Sequence, residues 1–331
     1  MVMLSQVRSF TMNIIERRVT GYKKLQRGLP CEDATYVKDL NDCIIMACAD
    51  GHGDYRCRRA SRGAELAARI IVSELEKYYK ESDDIEELGE LLNDNREELS
   101  KRIVCSWVGA VLDDYKINNL GDESFASQYK ELRKYSSKIF EVKDGAMPAK
   151  EFKQLAEYRH TCEDAIYKIT LLYGTTVNAV LMNSKFVFAI GIGDGDVIAV
   201  NGKRVEWLLP FTPRFNSASN SLSGSFGSII DNFYAIYVPI TTGRKITDNR
   251  FVPELVMIAT DGLRNAFLSD EEFADKILEI ASLLKRDNGR NFVKNSKQWL
   301  EDRAKYGVTQ DDISFCLCTK HNLKRKRKGV K

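Results

Sequence analysis

Three short apolar runs in this chain are each bordered by carboxylates. Cys43-Ile44-Ile45-Met46-Ala47-Cys48-Ala49 runs into Asp50-Gly51, Leu255–Thr260 runs into Asp261-Gly262, and Ile313–Thr319 follows Asp311-Asp312. Runs of this length, partly β-branched and bounded by turn residues, read as strands buried on both faces. A carboxylate at such a border sits at the rim of a sheet, on a rigid support. A neighbouring glycine lets other backbone come close. Glu32-Asp33 stand before a further strand expected at 35–38. One Asp-Gly by itself is an ordinary turn, so the joint occurrence carries the argument. Carboxylates gathered at one rim repel unless cations neutralise them, and hard divalent ions favour such oxygen-rich sites.

The remaining pattern is a mixture of hairpins and helices. Asn183-Ser184 separates the β-rich runs 175–182 and 186–190, and Asn201-Gly202 separates 197–200 from 204–209; both are hairpin signals. Another strand is expected at 232–238. Ala60, Ala64, Ala67, Ile71, Leu75 and Tyr78 recur at helical steps and predict a helix from about 57 to 79. Ser269 and Glu272 form a capping box that opens a helix facing inward through Phe273, Ile277, Ile280 and Leu284. A last helix is expected over 290–304. Residues 83–165 are charge-dense and helix-biased, with weak periodicity from Gly121 to Arg159, and read as a helical insertion. Because strands follow one another by hairpins, the fold class is α+β, with antiparallel sheets and helices packed outside.

Length and composition narrow the function. With 331 residues the chain buries a core without staples. Near-balanced charge, +3 overall, gives no global case for nucleic acid or membrane, and no run approaches the roughly 18 apolar residues of a membrane span. The 8 cysteines include no CxxC pair and there are only 3 histidines, which argues against structural zinc. Free thiols fit a reducing, cytoplasmic setting. The expected organisation is one domain over 1–319 followed by a basic tail at 320–331.

Six segments occur in a telling order: Glu32-Asp33-Ala34, Asp50-Gly51-His52-Gly53, Gly174-Thr175-Thr176, Gly193-Asp194-Gly195, Ala259-Thr260-Asp261-Gly262-Leu263 and Asp311-Asp312-Ile313-Ser314. Together they resemble the metal-dependent serine/threonine protein phosphatases of type 2C, in a divergent, bacterial-like form. The resemblance spans about 20–319. It implies an α/β/β/α sandwich of two antiparallel sheets flanked by helices, with two Mg²⁺ or Mn²⁺ ions at one end. It further implies that Asp50 bridges the ions, that the Gly51 carbonyl, Asp261 and Asp311 bind them, and that Glu32 and Asp33 hold their waters. His52 resembles the acid that protonates the leaving oxygen. The implied reaction is hydrolysis of phosphoserine and phosphothreonine in proteins, the substrate being a phosphorylated protein and the enzyme a monomer. The alternative is a noncatalytic phosphatase-like domain that binds a phosphoprotein.

The chain departs from the family pattern in places. The phosphate-clamping arginine is replaced, at the nearest position, by Arg27, one residue further from Glu32 than usual, with Lys23 and Lys24 as alternatives. Asn265 stands where many members carry an aspartate for a third metal, so a third ion is not expected. Residues 215–230 carry no charge and 6 serines, and are expected to form a mobile loop at the edge of the substrate groove.

Overall fold

The computed structural model describes residues 13–40, 42–119, 122–141, 149–214, 220–240, 251–286 and 289–319. The strands are β1 (Asn13–Val19), β2 (Ala34–Asp39), β3 (Cys43–Ala49), β4 (Val177–Asn183), β5 (Phe186–Ile192), β6 (Asp196–Asn201), β7 (Arg204–Trp207), β8 (Tyr234–Pro239), β9 (Leu255–Ala259) and β10 (Ile313–Thr319). They form two five-stranded sheets of order β1-β10-β9-β6-β7 and β2-β3-β4-β5-β8, with every neighbouring pair antiparallel.

The unbroken apolar runs have a direct physical reason. In β3 the odd residues Cys43, Ile45, Ala47 and Ala49 face the helices, while Ile44, Met46 and Cys48 face the other sheet. A strand covered on both faces has no position that favours a polar side chain. β10 behaves alike: Ile313, Phe315 and Leu317 meet the helices on their side, and Cys316 and Cys318 enter the layer between the sheets. Both expected hairpins form. Asn183 Oδ1 accepts from the amides of Lys185 and Phe186 at 2.7 and 3.0 Å, and Gly202 turns the second with φ of 66°.

Helices cover both outer faces. On one side lie α9 (Asp270–Arg286) and α10 (Arg290–Tyr306), and the expected inward face of Phe273, Ile277, Ile280 and Leu284 is buried there. The capping box forms: the Glu272 amide donates to Ser269 Oγ at 3.1 Å, and Glu272 Oε2 accepts from the Leu268 amide at 2.9 Å. On the other side lie α2 (Ala60–Glu81), α3 (Ile85–Asp94), α4 (Arg96–Asn118), α5 (Glu123–Ser136) and α6 (Ala149–Thr170). α2 packs on the sheet and α4 packs on α2, so α4 buries Leu99, Ile103, Trp107, Val111 and Leu112 between layers. No helix among the described residues is long and apolar enough to cross a membrane.

Several short elements, β1 and α1 among them, are not expected from the sequence. β1 is an edge strand whose outer residues are polar, and α1 (Tyr22–Gln26) is a single short turn of helix. The 215–230 segment differs from the expected free loop. Residues 215–219 and the basic tail lie outside the described residues. Beyond them Leu222 is fully buried, its amide bonded to the Thr175 carbonyl at 3.0 Å, and α7 (Phe226–Asp231) follows. α8 (Asp261–Asn265) completes the set.

Candidate active site

Antiparallel pairing gathers the acidic borders. Ala34 at the start of β2 pairs with Ala49 at the end of β3, and Ala259 near the end of β9 pairs with Phe315 of β10 and with Asp196 of β6. Chain ends that alternate in direction therefore meet at one rim of the sandwich. A cavity of about 410 Å³ opens there, lined by Asp50, Gly51, His52, Asp261 and Asp311, together with Lys24, Arg56, Thr176, Asp194 and Ser223. The glycines after Asp50 and Asp261 are needed for close approach. A Cβ on Gly51 would stand 2.6 Å from the Glu32 carbonyl oxygen, and one on Gly262 would stand 2.0 Å from that of Asp312.

Glu32 and Asp33 stand behind this wall. Glu32 Oε2 lies 2.6 Å from Lys24 Nζ. Asp33 is buried and accepts from Thr260 Oγ1 at 2.7 Å, which joins the start of β2 to the end of β9 across the two sheets. Of the two adjacent aspartates, Asp311 faces the cavity. Asp312 is turned inward and accepts from the Gly21 amide (2.7 Å), Lys24 Nζ (2.6 Å) and the Glu32 amide (2.7 Å).

Arg27 is not where the sequence reading puts it. The segment before Glu32 coils into α1, Arg27 becomes its exposed C-terminal cap, and Gly28 turns away with φ of 65°. Arg27 is not among the residues lining the cavity, whereas Lys24, from the same helix, is. The second cation at the rim is Arg56, which pairs with Asp54 through Nε and Nη2 at 3.1 and 2.7 Å.

Electrostatics at the rim follow from burial. Burial first, and then the Asp33 and Asp261 charges, push the Asp50 carboxyl well above its ordinary value. Asp261 is raised also by burial and by the Asp311 charge, although the hydrogen bond with Asp50 lowers it. Asp33 is pushed up to about 7, chiefly by burial and then by Asp312. Asp194 rises to about 6 by burial and the neighbouring Asp261. Burial pulls the His52 imidazole below its usual value. Among the described residues, no three His, Cys, Asp or Glu side chains already converge as a metal cage. The donor chemistry nevertheless suits hard cations: the acidic groups on the wall are carboxylates, the Asn265 Oδ1 oxygen next to them is buried without a partner, and Asn265 Nδ2 donates to Asp261 Oδ2 at 2.8 Å.

Some site residues carried too little sequence signal. Asp194 sits in Gly193-Asp194-Gly195 but received no role. Lys24 was only one of three basic candidates. Asp196 and Arg264 were missed; Arg264 is almost fully buried, donates from Nε to Asp196 Oδ2 at 3.0 Å and from Nη2 to the Thr212 carbonyl at 2.8 Å, and so fixes the helix that begins at Asp261.

Solved structures that superpose on this arrangement of elements include bacterial phosphatases. A bacterial serine phosphatase superposes with a TM-score of 0.51 at 15% identity, covering 95% of this chain and 100% of that one. The serine/threonine phosphatase Stp1 from Staphylococcus aureus gives 0.51 at 14% identity, covering 94% and 96%. A sex determining protein from C. elegans gives 0.50 at 11% identity, covering 94% of this chain and 65% of that one. At these identities the likeness shows the fold. No curated protein matches the sequence. The sequence profile described as protein phosphatase 2C matches residues 20–302, which is most of the chain, and with the two-sheet sandwich and its acidic rim the chain belongs to the protein phosphatase 2C family.

Proposed function

We propose that this protein hydrolyses phosphoserine and phosphothreonine in protein substrates, with Mg²⁺ or Mn²⁺ as cofactor. The observation that carries the reading is that Asp50, Gly51, His52, Asp261 and Asp311, far apart in sequence, line a single cavity. Asp50, the Gly51 carbonyl, Asp261 and Asp311 would hold two ions, with Glu32 and Asp33 supporting them from behind. Bound there, the ions would neutralise phosphate charge and activate a water.

The chain's own residues have separate tasks. The wall carboxylates, whose charged forms burial disfavours, would be stabilised in those forms by bound cations. His52, part-buried at the cavity edge, stands to donate a proton to the serine or threonine oxygen as it leaves. Burial disfavours its charged form, so the dianionic phosphate beside it is what would keep the imidazolium protonated. Lys24 takes over from Arg27 as the candidate for orienting phosphate oxygens, because it is the α1 cation at the cavity. Ser223 would border the bound peptide.

The test is release of phosphate from a phosphothreonine peptide by the full chain, with Mn²⁺ and with chelator. The reading expects turnover in Mn²⁺, its loss in EDTA, and its loss in His52→Ala for the peptide. Equal turnover in EDTA and in Mn²⁺ contradicts it.

A further inference from the structure

We propose that Asp114, on α4 of the helical insertion, is a positioning residue for His52 and acts through the buried hydroxyl of Tyr173. The proposal rests on the phosphatase reading for its kinetic consequence, though not for the contact itself.

The turn that carries Asp50, Gly51 and His52 lies against the strap Leu171–Thr176. The His52 amide donates to the Gly174 carbonyl at 3.0 Å, and the Asp50 carbonyl accepts from the Thr176 amide at 2.9 Å and from Thr175 Oγ1 at 2.8 Å. Gly51 and Thr175 form an isolated antiparallel bridge. The imidazole also rests on the strap, since a Cβ on Gly174 would stand 2.8 Å from His52 Cδ2. A shift of the strap therefore shifts both the backbone and the ring of His52.

Tyr173, fully buried in the middle of the strap, points away from the cavity into the insertion. Its hydroxyl donates to Asp114 Oδ2 at 2.9 Å and accepts from Arg59 Nη1 at 2.7 Å. The other Asp114 oxygen accepts from Arg62 Nε at 2.7 Å. The Arg59 amide donates to the Leu172 carbonyl at 2.8 Å, while its guanidinium donates to the Asn118 carbonyl at 3.2 Å and lies 5.3 and 5.6 Å from the ring centres of Tyr115 and Tyr173. One carboxylate on α4 thus ties down both the strap below His52 and the start of α2 just after it. A tyrosine donating to a carboxylate away from solvent makes a charge-assisted bond with no water to replace it.

Proton donation needs hydrogen-bond reach. Slack at His52 should cost most when the leaving oxygen is basic, as in phosphothreonine, and less for p-nitrophenyl phosphate, whose leaving group departs without help. Loss of packing alone would slow both substrates by the same factor. The experiment compares the two substrates in Mn²⁺ for the wild type, Tyr173→Phe, Asp114→Asn and His52→Ala. The ratio of peptide kcat to p-nitrophenyl phosphate kcat should fall about tenfold in Tyr173→Phe and in Asp114→Asn, in the direction set by His52→Ala. The double variant should fall no further than either single one, because both act through one contact. A ratio equal to wild type in Tyr173→Phe overturns the proposal.

A second measurement does not depend on turnover. Imidazole NMR resonances of His52, assigned by their loss in His52→Ala, should move in Tyr173→Phe while those of His160 and His321 stay. Unmoved His52 resonances overturn the positioning link. Moved resonances in a protein that hydrolyses neither substrate uphold the link and overturn the phosphatase reading instead.

Discussion

The layer between the sheets and the acidic rim are built by the same strands, yet they obey opposite rules. Cys48 is buried among the apolar side chains of Met46, Val180, Ile258 and Cys316. Two residues further on, Asp50 faces Asp261 and Asp311 across the cavity. Apolar burial in the first region stabilises the fold by about 25 cal/mol per Å². In the second region buried like charges oppose it, and their raised carboxyl pKa values record the opposition. The rim is held by the packed sandwich beneath it. Function is placed where the strands end, and stability where they run.

Substitutions at the rim and in the core should therefore act in opposite ways. The largest effect is expected from Asp50→Asn and Asp261→Asn. Each should lower kcat on a phosphothreonine peptide by about a thousandfold or more while the melting temperature in EDTA stays level or rises. A fall in melting temperature without loss of turnover would reverse the roles assigned to rim and core. Met46→Ala should do the opposite. It should lower unfolding free energy by about 2–5 kcal/mol in denaturant titration, and leave kcat in place well below the melting point.

The rim also sets a pH dependence. Asp33, raised to about 7, and Asp194 and Asp196, raised to about 6, bind protons more tightly in the folded chain than in the unfolded one. Their contribution is therefore full at low pH and is lost as pH rises from about 4 through about 7. Without metal, unfolding free energy should fall over that window. Chemical denaturation at pH 5 and pH 7.5 in EDTA checks it, and greater stability at pH 7.5 would contradict it. A smaller effect separates the two α1 cations. Lys24→Ala should cost about 1.5–3 kcal/mol in kcat/KM, on the order of ten- to a hundredfold. Arg27→Ala should leave kcat/KM unchanged, and the reverse pattern would return the phosphate contact to Arg27.

What the sequence showed and what it hid follow the same division. β3, β5 and β9 were legible because burial on two faces leaves an unbroken apolar run, and β4 and β10 because only Asn178, Asn183, Ser314 and Thr319 interrupt theirs. β1 was not, because it pairs on one side only, and Glu16, Arg17 and Arg18 interrupt its pattern. The hairpin of α5 and α6 was hard to read because polar and aromatic contacts hold much of it. Arg133 and Tyr129 both reach Asp113, at 2.9 and 2.7 Å, and Tyr135 reaches Glu163 at 2.8 Å. Such pairs leave no apolar period. At the site, Asp50, His52 and Asp261 were legible from the strand borders and their glycines. Arg27 was misplaced because spacing in sequence assumes an extended approach, and the chain coils there instead. Arg264 carried no signal, since only its burial beside Asp196 gives the charge a purpose.

A rim that is unfavourable by itself and suited to divalent ions should bind them in the full chain. Calorimetric titration of the full chain with Mn²⁺ at pH 7.5, followed by a melting curve of the same sample, tests that claim most directly. Binding of two ions, a rise in melting temperature, and loss of most of the binding heat in Asp261→Asn are the expected results. No binding heat and an unchanged melting temperature in the wild type would contradict it.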